Sequence, residues 1–307
     1  MTTGRDGLTR QGFLGAALAA AVGGGAAAQG GTSALHRRPI PASGETLPAI
    51  GLGTWRGFDV GEKAAEREPL REVVAALLDG GGKVIDSSPM YGRAEGVTGD
   101  LVAEAGARDT VFLATKVWTS GREAGLAQMQ RSLQLLRSER IDLMQIHNLL
   151  DWRTHLPVLR DWKAAGRIRY LGISHYTESA YDAVEAVLRA ERLDFLQINY
   201  ALDDRAAEDR LLPLAAERGV AVLVNRPFGG GGLLRRLAGR PLPDYAAELG
   251  CTSWAGILLK FVIGHPAVTC AIPGTADPGH MAANLRAGTG PLPDEALRRR
   301  MVADLLR

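Results

Sequence analysis

Lys116 ends an apolar run, Val111-Phe112-Leu113-Ala114-Thr115, in a chain whose 36 basic residues include only five lysines. An ammonium group in such a setting needs a partner or a function, because burying it uncompensated is costly. Other apolar runs end in groups that could share its work. Val84-Ile85 leads into Asp86, with Tyr91 five positions later in Ser87-Ser88-Pro89-Met90-Tyr91-Gly92. Ile141 to Ile146 ends in His147, Ile168 to Ile173 ends in Ser174-His175, and a further run carries Gln197. Asp86 is the natural partner for Lys116. A cation beside a phenol lowers the phenol pKa from its usual value of about 10, so Tyr91 is expected to release a proton readily near neutral pH. Tyr91 is then the expected proton donor to a substrate oxygen, and His147 is placed to hydrogen-bond a substrate carbonyl. Taken singly, these could be a structural ion pair, a packed ring and a satisfied core histidine. Their conjunction at the ends of three successive runs points instead to a reactive site.

Something must hold these ends together. Eight short β-rich runs occur, at 49–55, 83–88, 110–116, 141–147, 168–174, 194–200, 220–227 and 268–274. Their cores are apolar on consecutive residues, as buried parallel strands require. Helical periodicity separates them: Leu126, Met129, Leu133 and Leu136 share one face, as do Tyr181, Val184, Val187 and Leu188. Gly80, Gly166 and Gly219 are expected to end helices in the left-handed region. The longer gap before the eighth run, with Gly229–Gly232 and Pro241–Gly250, reads as an extended loop with a small helix. Ser253–Gly264 is an apolar helix, and Pro278–Ala287 and Asp294–Leu306 are helices beyond the last strand. Eight strand-helix pairs predict a single-domain (β/α)₈ barrel over residues 36–307, with a hairpin at His36–Pro48 capping its bottom. Functional side chains of such barrels project from the C-terminal strand ends. The first barrel run is followed by Thr54-Trp55-Arg56-Gly57-Phe58, not by a glycine-rich dinucleotide fingerprint, so a dinucleotide here is held in another way.

In these residues the chain resembles the aldo/keto reductase superfamily. The resemblance is carried by Gly51-Leu52-Gly53-Thr54-Trp55, Val84 to Gly92, Thr115-Lys116-Val117-Trp118, Met144-Gln145-Ile146-His147-Asn148, Gly172-Ile173-Ser174, Gln197-Ile198-Asn199-Tyr200, Pro227-Phe228-Gly229 and Ile272-Pro273-Gly274-Thr275. It implies a tetrad of Asp86, Tyr91, Lys116 and His147, and reduction of an aldehyde or ketone by NADPH or NADH. It further implies that Ser174, His175 and Gln197 lie at the nicotinamide carboxamide, with Thr54 near the nicotinamide. Arg226, Phe228 and Gly230 belong to a loop over the pyrophosphate, while Thr275, His280 and Asn284 lie toward the adenosine end. Trp55 and Trp118 line the substrate pocket. Four positions depart from the family pattern. His175 follows Ser174 where the family has Asn, Asn225 stands where a tyrosine stacks on the nicotinamide, and Gly274 and His280 replace the lysine and arginine that pair the 2′-phosphate.

Composition narrows the alternatives. With 46% apolar and 23% charged residues the chain reads as a globular protein, and a formal net charge of +2 gives no reason to expect a nucleic-acid partner. Cys251 and Cys270 sit in apolar contexts and read as buried free thiols; no metal-ligand spacing is present. The first residues differ in kind. Arg5 and Arg10 precede Gln11-Gly12-Phe13-Leu14, an Ala/Gly-rich apolar stretch, and Ala26-Ala27-Ala28. That order reads as an export leader over 1–28, resembling a twin-arginine signal in which Gln11 replaces the second arginine, with the mature chain in the periplasm; a cytoplasmic protein with an Ala-rich tail is the alternative. No membrane span is expected in the mature chain. Two other functions fit parts of the pattern: a redox-sensing module that binds the cofactor without turnover, and a Schiff-base lyase using Lys116.

Overall fold

The computed structural model describes residues 34–305. All eight expected runs form strands. A hairpin of β1 (Arg37–Pro39) and β2 (Thr46–Pro48) comes first, pairing antiparallel with Arg37 opposite Pro48. Then come β3 (Leu52–Gly53), β4 (Val84–Asp86), β5 (Phe112–Val117), β6 (Ile141–His147), β7 (Ile168–Ser174), β8 (Phe195–Asn199), β9 (Ala221–Asn225) and β10 (Cys270–Ala271). These eight are parallel and lie side by side in chain order. Parallel bridges from Ile50 to Ala271 and from Gly53 to Gly274 join the last strand to the first. The seam is cemented by the Gly51 amide donating to the Ala271 carbonyl at 2.8 Å and the Ala271 amide to the Ala49 carbonyl at 2.9 Å. Gly53 is required there: a Cβ would come within 2.8 Å of the Ile272 carbonyl oxygen. The closed (β/α)₈ barrel is therefore the fold the strand spacing predicts.

Side chains alternate across each strand, so every second residue enters the barrel. The lower interior is apolar. Val84, Phe112, Leu143, Tyr170, Phe195, Ala221, Leu223 and Cys270 pack in one cluster with Ile40 and Leu47 from the hairpin, which plugs the bottom. Two to four residues further along the same strands the interior turns polar: Asp86, Lys116, Gln145 with His147, Ser174, Gln197 and Asn225. The apolar floor excludes water from below, so this polar layer opens only toward the C-terminal mouth. The outer faces of the strands pack against the surrounding helices in a second, larger cluster.

Helix boundaries follow local chemistry. Ser253 caps the apolar helix Trp254–Ile263 by accepting from the Gly256 amide, and Asp277 caps Pro278–Ala287 by accepting from the His280 amide. Gly166 and Gly219 are left-handed as expected, with φ of 71° and 65°. Gly80 is not: it ends Ala64–Asp79 with φ −80°, and the left-handed residue is its neighbour Gly81, φ 79°. The segment before the eighth barrel strand holds two short helices, Gly232–Leu237 and Tyr245–Glu248, rather than one. Among the described residues both cysteines are buried and free, no helix is long and apolar enough to cross a membrane, and no group of side chains could hold a metal ion.

Candidate active site

Asp86 is the hub of the polar layer. Its Oδ2 accepts from the Lys116 ammonium at 2.7 Å, and its Oδ1 accepts from the amides of Gln197 at 2.9 Å and Gln145 at 3.3 Å. Lys116 is fully buried and also donates to the Ser87 carbonyl at 2.6 Å. Strand register explains the meeting. Asp86 and Lys116 end neighbouring strands, offset by two residues, with Asp86 beside Ala114 and Lys116 beside Gln145. Thr54, just after β3, braces the same corner, its hydroxyl donating to the Asp86 carbonyl at 3.0 Å and lying 3.0 Å from the Ser87 hydroxyl.

Tyr91 hangs over this pair from the loop after β4. The Lys116 Nζ lies 5.1 Å from its ring centroid, and the ring meets His147 edge-on at 6.4 Å. The electrostatics correct the expectation of a lowered phenol pKa. Burial pushes the Tyr91 phenol up, Lys116 pulls it down and Asp86 pushes it up again, and the sum lies above 10. The phenol is consequently protonated across the neutral range, while Lys116 selectively stabilises the phenolate that proton release would create. Lys116 itself stays charged. Burial alone would depress it, but Asp86 and Tyr91 outweigh that and hold its pKa above the ordinary lysine value.

His147 closes the far side. Its Nδ1 lies 2.7 Å from Ser174 Oγ, and desolvation, reinforced by Lys116 and His175, pushes its pKa down to about 3. The imidazole is neutral at physiological pH, with one nitrogen protonated and the other accepting. Ser174 and Gln197, expected at a cofactor carboxamide, thus also touch the tetrad, through His147 and Asp86 respectively. Gln145 and Ser87 went unnoticed in the sequence. Gln145 had a signal: it precedes His147 by two positions on the same strand, and so faces the same interior.

The remaining expected residues form the mouth. Trp55 and Trp118 are 52% and 40% exposed there, and Arg56 lays its guanidinium 4.2 Å over the Trp55 ring. Asn225, in place of an aromatic ring, donates to the His175 carbonyl at 3.0 Å. His175 stacks on Tyr176 with ring centroids 5.8 Å apart, and Arg226 sits 5.7 Å over Tyr176. Phe228 packs partly against the core and begins a glycine run in which Gly229, Gly230 and Gly231 all have positive φ. Thr275, His280 and Asn284 lie apart from the tetrad, in the loop and helix after β10. The Thr275 hydroxyl accepts from the Asp277 amide at 3.0 Å, His280 is exposed and Asn284 is buried.

One outcome follows from the His147 environment. Its ¹⁵N imidazole shifts should stay at neutral-ring values from about pH 5 to pH 8, well above its depressed pKa. Titration near the ordinary histidine value would contradict the burial described.

The sequence profile described as "Aldo/keto reductase family" matches residues 49–300. The chain is 30% identical over 258 residues to "Methylglyoxal reductase YeaE" of Escherichia coli K12, covering 81% of this chain and 89% of that protein. It is 31% identical over 225 residues to "Aldo-keto reductase YhdN" of Bacillus subtilis, covering 68% and 66%. Among solved structures, an aldo-keto reductase from Klebsiella pneumoniae in complex with NADPH superposes with a TM-score of 0.73 at 28% identity, covering 89% of this chain and 95% of that one. With its barrel, its strand-end tetrad and this profile match, the chain belongs to the aldo/keto reductase family.

Proposed function

We propose that this chain reduces an aldehyde or ketone, with Tyr91 as general acid, Lys116 and Asp86 setting the phenol, and His147 orienting the carbonyl. The observation that carries this reading is the buried Asp86–Lys116 pair against a protonated Tyr91. A phenol kept protonated at neutral pH can deliver a proton to an oxygen gaining charge, and the adjacent ammonium lowers the cost of the phenolate left behind. In the tautomer in which Nδ1 accepts from Ser174, the neutral His147 ring carries its proton on Nε2 and presents it to the carbonyl oxygen. The exposed Trp55 and Trp118 offer apolar walls for the rest of the substrate.

The residues fit a nicotinamide dinucleotide. Arg226 has φ 51° and no carboxylate partner among the described residues, and a Cβ on Gly230 would come within 2.9 Å of its guanidinium. Side chains in that glycine run would fill the cradle that an anionic pyrophosphate needs. Asn225 Oδ1 is buried without a partner, an acceptor suited to an amide N–H. Arg226, Phe228 and Gly230 would hold the pyrophosphate, Ser174, His175 and Gln197 the carboxamide with Thr54 behind it, and Thr275, His280 and Asn284 the adenosine end. When bound, NADPH or NADH supplies the hydride. Gly274 and the exposed His280 offer no fixed cation for a 2′-phosphate, so both nucleotides remain within the proposal. A Schiff-base lyase is disfavoured: the Lys116 ammonium donates to Asp86 and to the Ser87 carbonyl, and its raised pKa keeps it cationic rather than nucleophilic.

Residues 1–28 lie outside the described residues, and 36–307 form the proposed catalytic domain. We read Arg5, Arg10 and the small-residue stretch to Ala28 as a leader for export of the folded protein to the periplasm. A route that carries folded chains suits a protein that must keep a dinucleotide. N-terminal sequencing of the protein isolated from its native cell should begin after Ala28; an intact Met1 or Thr2 on cytosolic protein would sink the export reading.

Tyr91→Phe tests the chemical assignment. It should lower carbonyl-dependent NAD(P)H oxidation about 10²- to 10⁴-fold, as loss of a general acid does, while nucleotide quenching of tryptophan fluorescence persists. Turnover at the wild-type rate would remove Tyr91 from the chemistry.

A further inference from the structure

We propose that Gln145 is a positioning residue for the proton transfer, clamping the second oxygen of Asp86 so that the Lys116 charge acts on the Tyr91 phenol. The proposal rests on the carbonyl-reductase reading above and adds a residue to its machinery.

Gln145 is 0% exposed, on the inner face of a parallel barrel strand between the apolar Leu143 and the site residue His147. Its Nε2 reaches Asp86 Oδ1 at 3.3 Å, and its own Oε1 has no partner among the described residues. An amide left half satisfied in a core works against folding, and an apolar side chain of the same length would fill the space without that cost. The position therefore calls for an account based on what the amide does. Its neighbours supply one. On β5 its register partner is Lys116, and on β7 it is Gly172, which has no side chain to block the reach inward.

Asp86 acts in two opposed ways. It fixes Lys116 in place, but its own charge raises the Tyr91 pKa and so opposes the phenolate that proton transfer creates. Amide dipoles on Oδ1 draw that negative charge away from the phenol without removing the ion pair on Oδ2. Gln197 contributes one such dipole from the side that faces the mouth. Gln145 contributes the other from beneath, where no ligand reaches it. The other titratable groups of this layer do not duplicate the effect. His147 and His175 are neutral at working pH, and the pKa of Glu95, buried behind β5 where it accepts from Thr115 at 2.6 Å, is raised by its burial.

The test is Gln145→Met, which keeps length and removes the donor, with Gln145→Leu as a second apolar replacement should Met disturb packing. Rates are measured with NADPH and NADH over an aldehyde panel and across pH. The expected result is a fall in kcat of about tenfold, the worth of one buried hydrogen bond to a charged group. The alkaline fall of kcat/KM should begin at higher pH than in the wild type, because an undamped Asp86 raises the phenol further. Nucleotide affinity by tryptophan quenching and the urea midpoint should not drop. Wild-type kcat and an unmoved alkaline limb in the variants would overturn the proposal, and so would a lowered urea midpoint with an unmoved limb, which marks a structural role. A wild-type protein that binds nucleotide but reduces nothing in the panel would sink the carbonyl-reductase reading and this proposal with it.

Discussion

Lys116 carries its charge where no solvent reaches it, and the Asp86 carboxylate 2.7 Å away is what makes that placement tolerable. Removing one member of such a pair leaves the other uncompensated and typically costs about 3–5 kcal/mol. The pair therefore constrains the fold as well as the chemistry. It requires β4 and β5 to be neighbours in the register observed, Ser87 to turn its carbonyl inward, and the Tyr91 loop to lie over the ammonium. The apolar floor formed by Phe112, Leu143, Tyr170 and Phe195 keeps water from reaching the pair from below. The same dryness that makes the pair costly to break strengthens its field at the phenol.

That field is directed by polarity differences across only two residues of each strand. Val84, Ala114 and Leu143 face the core; Asp86, Lys116 and Gln145, each two positions on, face the reaction. Desolvation shifts Tyr91 and His147 toward their neutral forms. Tyr91 stays protonated and His147 stays unprotonated, which are the states a proton donor and a neutral hydrogen-bond partner require. Lys116 is held in its charged form opposite the Asp86 carboxylate, whose charge, with Tyr91, outweighs the burial. The two charges of the layer are paired with each other, and the ammonium is the one that lies against the Tyr91 ring.

Much of this was legible in the sequence because barrel strands are short, apolar and regularly spaced. Consecutive apolar residues marked all eight strands, and the residues ending them named the tetrad. The hairpin over the bottom was legible from its position before the first strand. What stayed hidden depends on distance in space. A lysine beside a tyrosine implied a lowered phenol pKa, but the size of the burial effect, which reverses the sign, appears only once the loop is folded over the barrel. A single amide inside an apolar run is easily absorbed into the run, and only its two-residue offset from His147 marks Gln145 as facing the interior. Gly80 was assigned a left-handed geometry that belongs to Gly81, because three successive glycines, Gly80 to Gly82, leave the exact end of a helix open to one residue either way.

The most direct measurement is the pH dependence of kcat/KM for carbonyl reduction in the wild type and in Lys116→Met, both read on folded, nucleotide-binding protein. In the wild type the rate should be level through neutral pH and fall only above about pH 10, as the buried phenol ionises. In Lys116→Met the rate should drop by orders of magnitude and the alkaline fall should move to higher pH, because the cation that favours the phenolate is gone. An alkaline limb at the same pH in both proteins would contradict the claim that the buried ammonium sets the tyrosine.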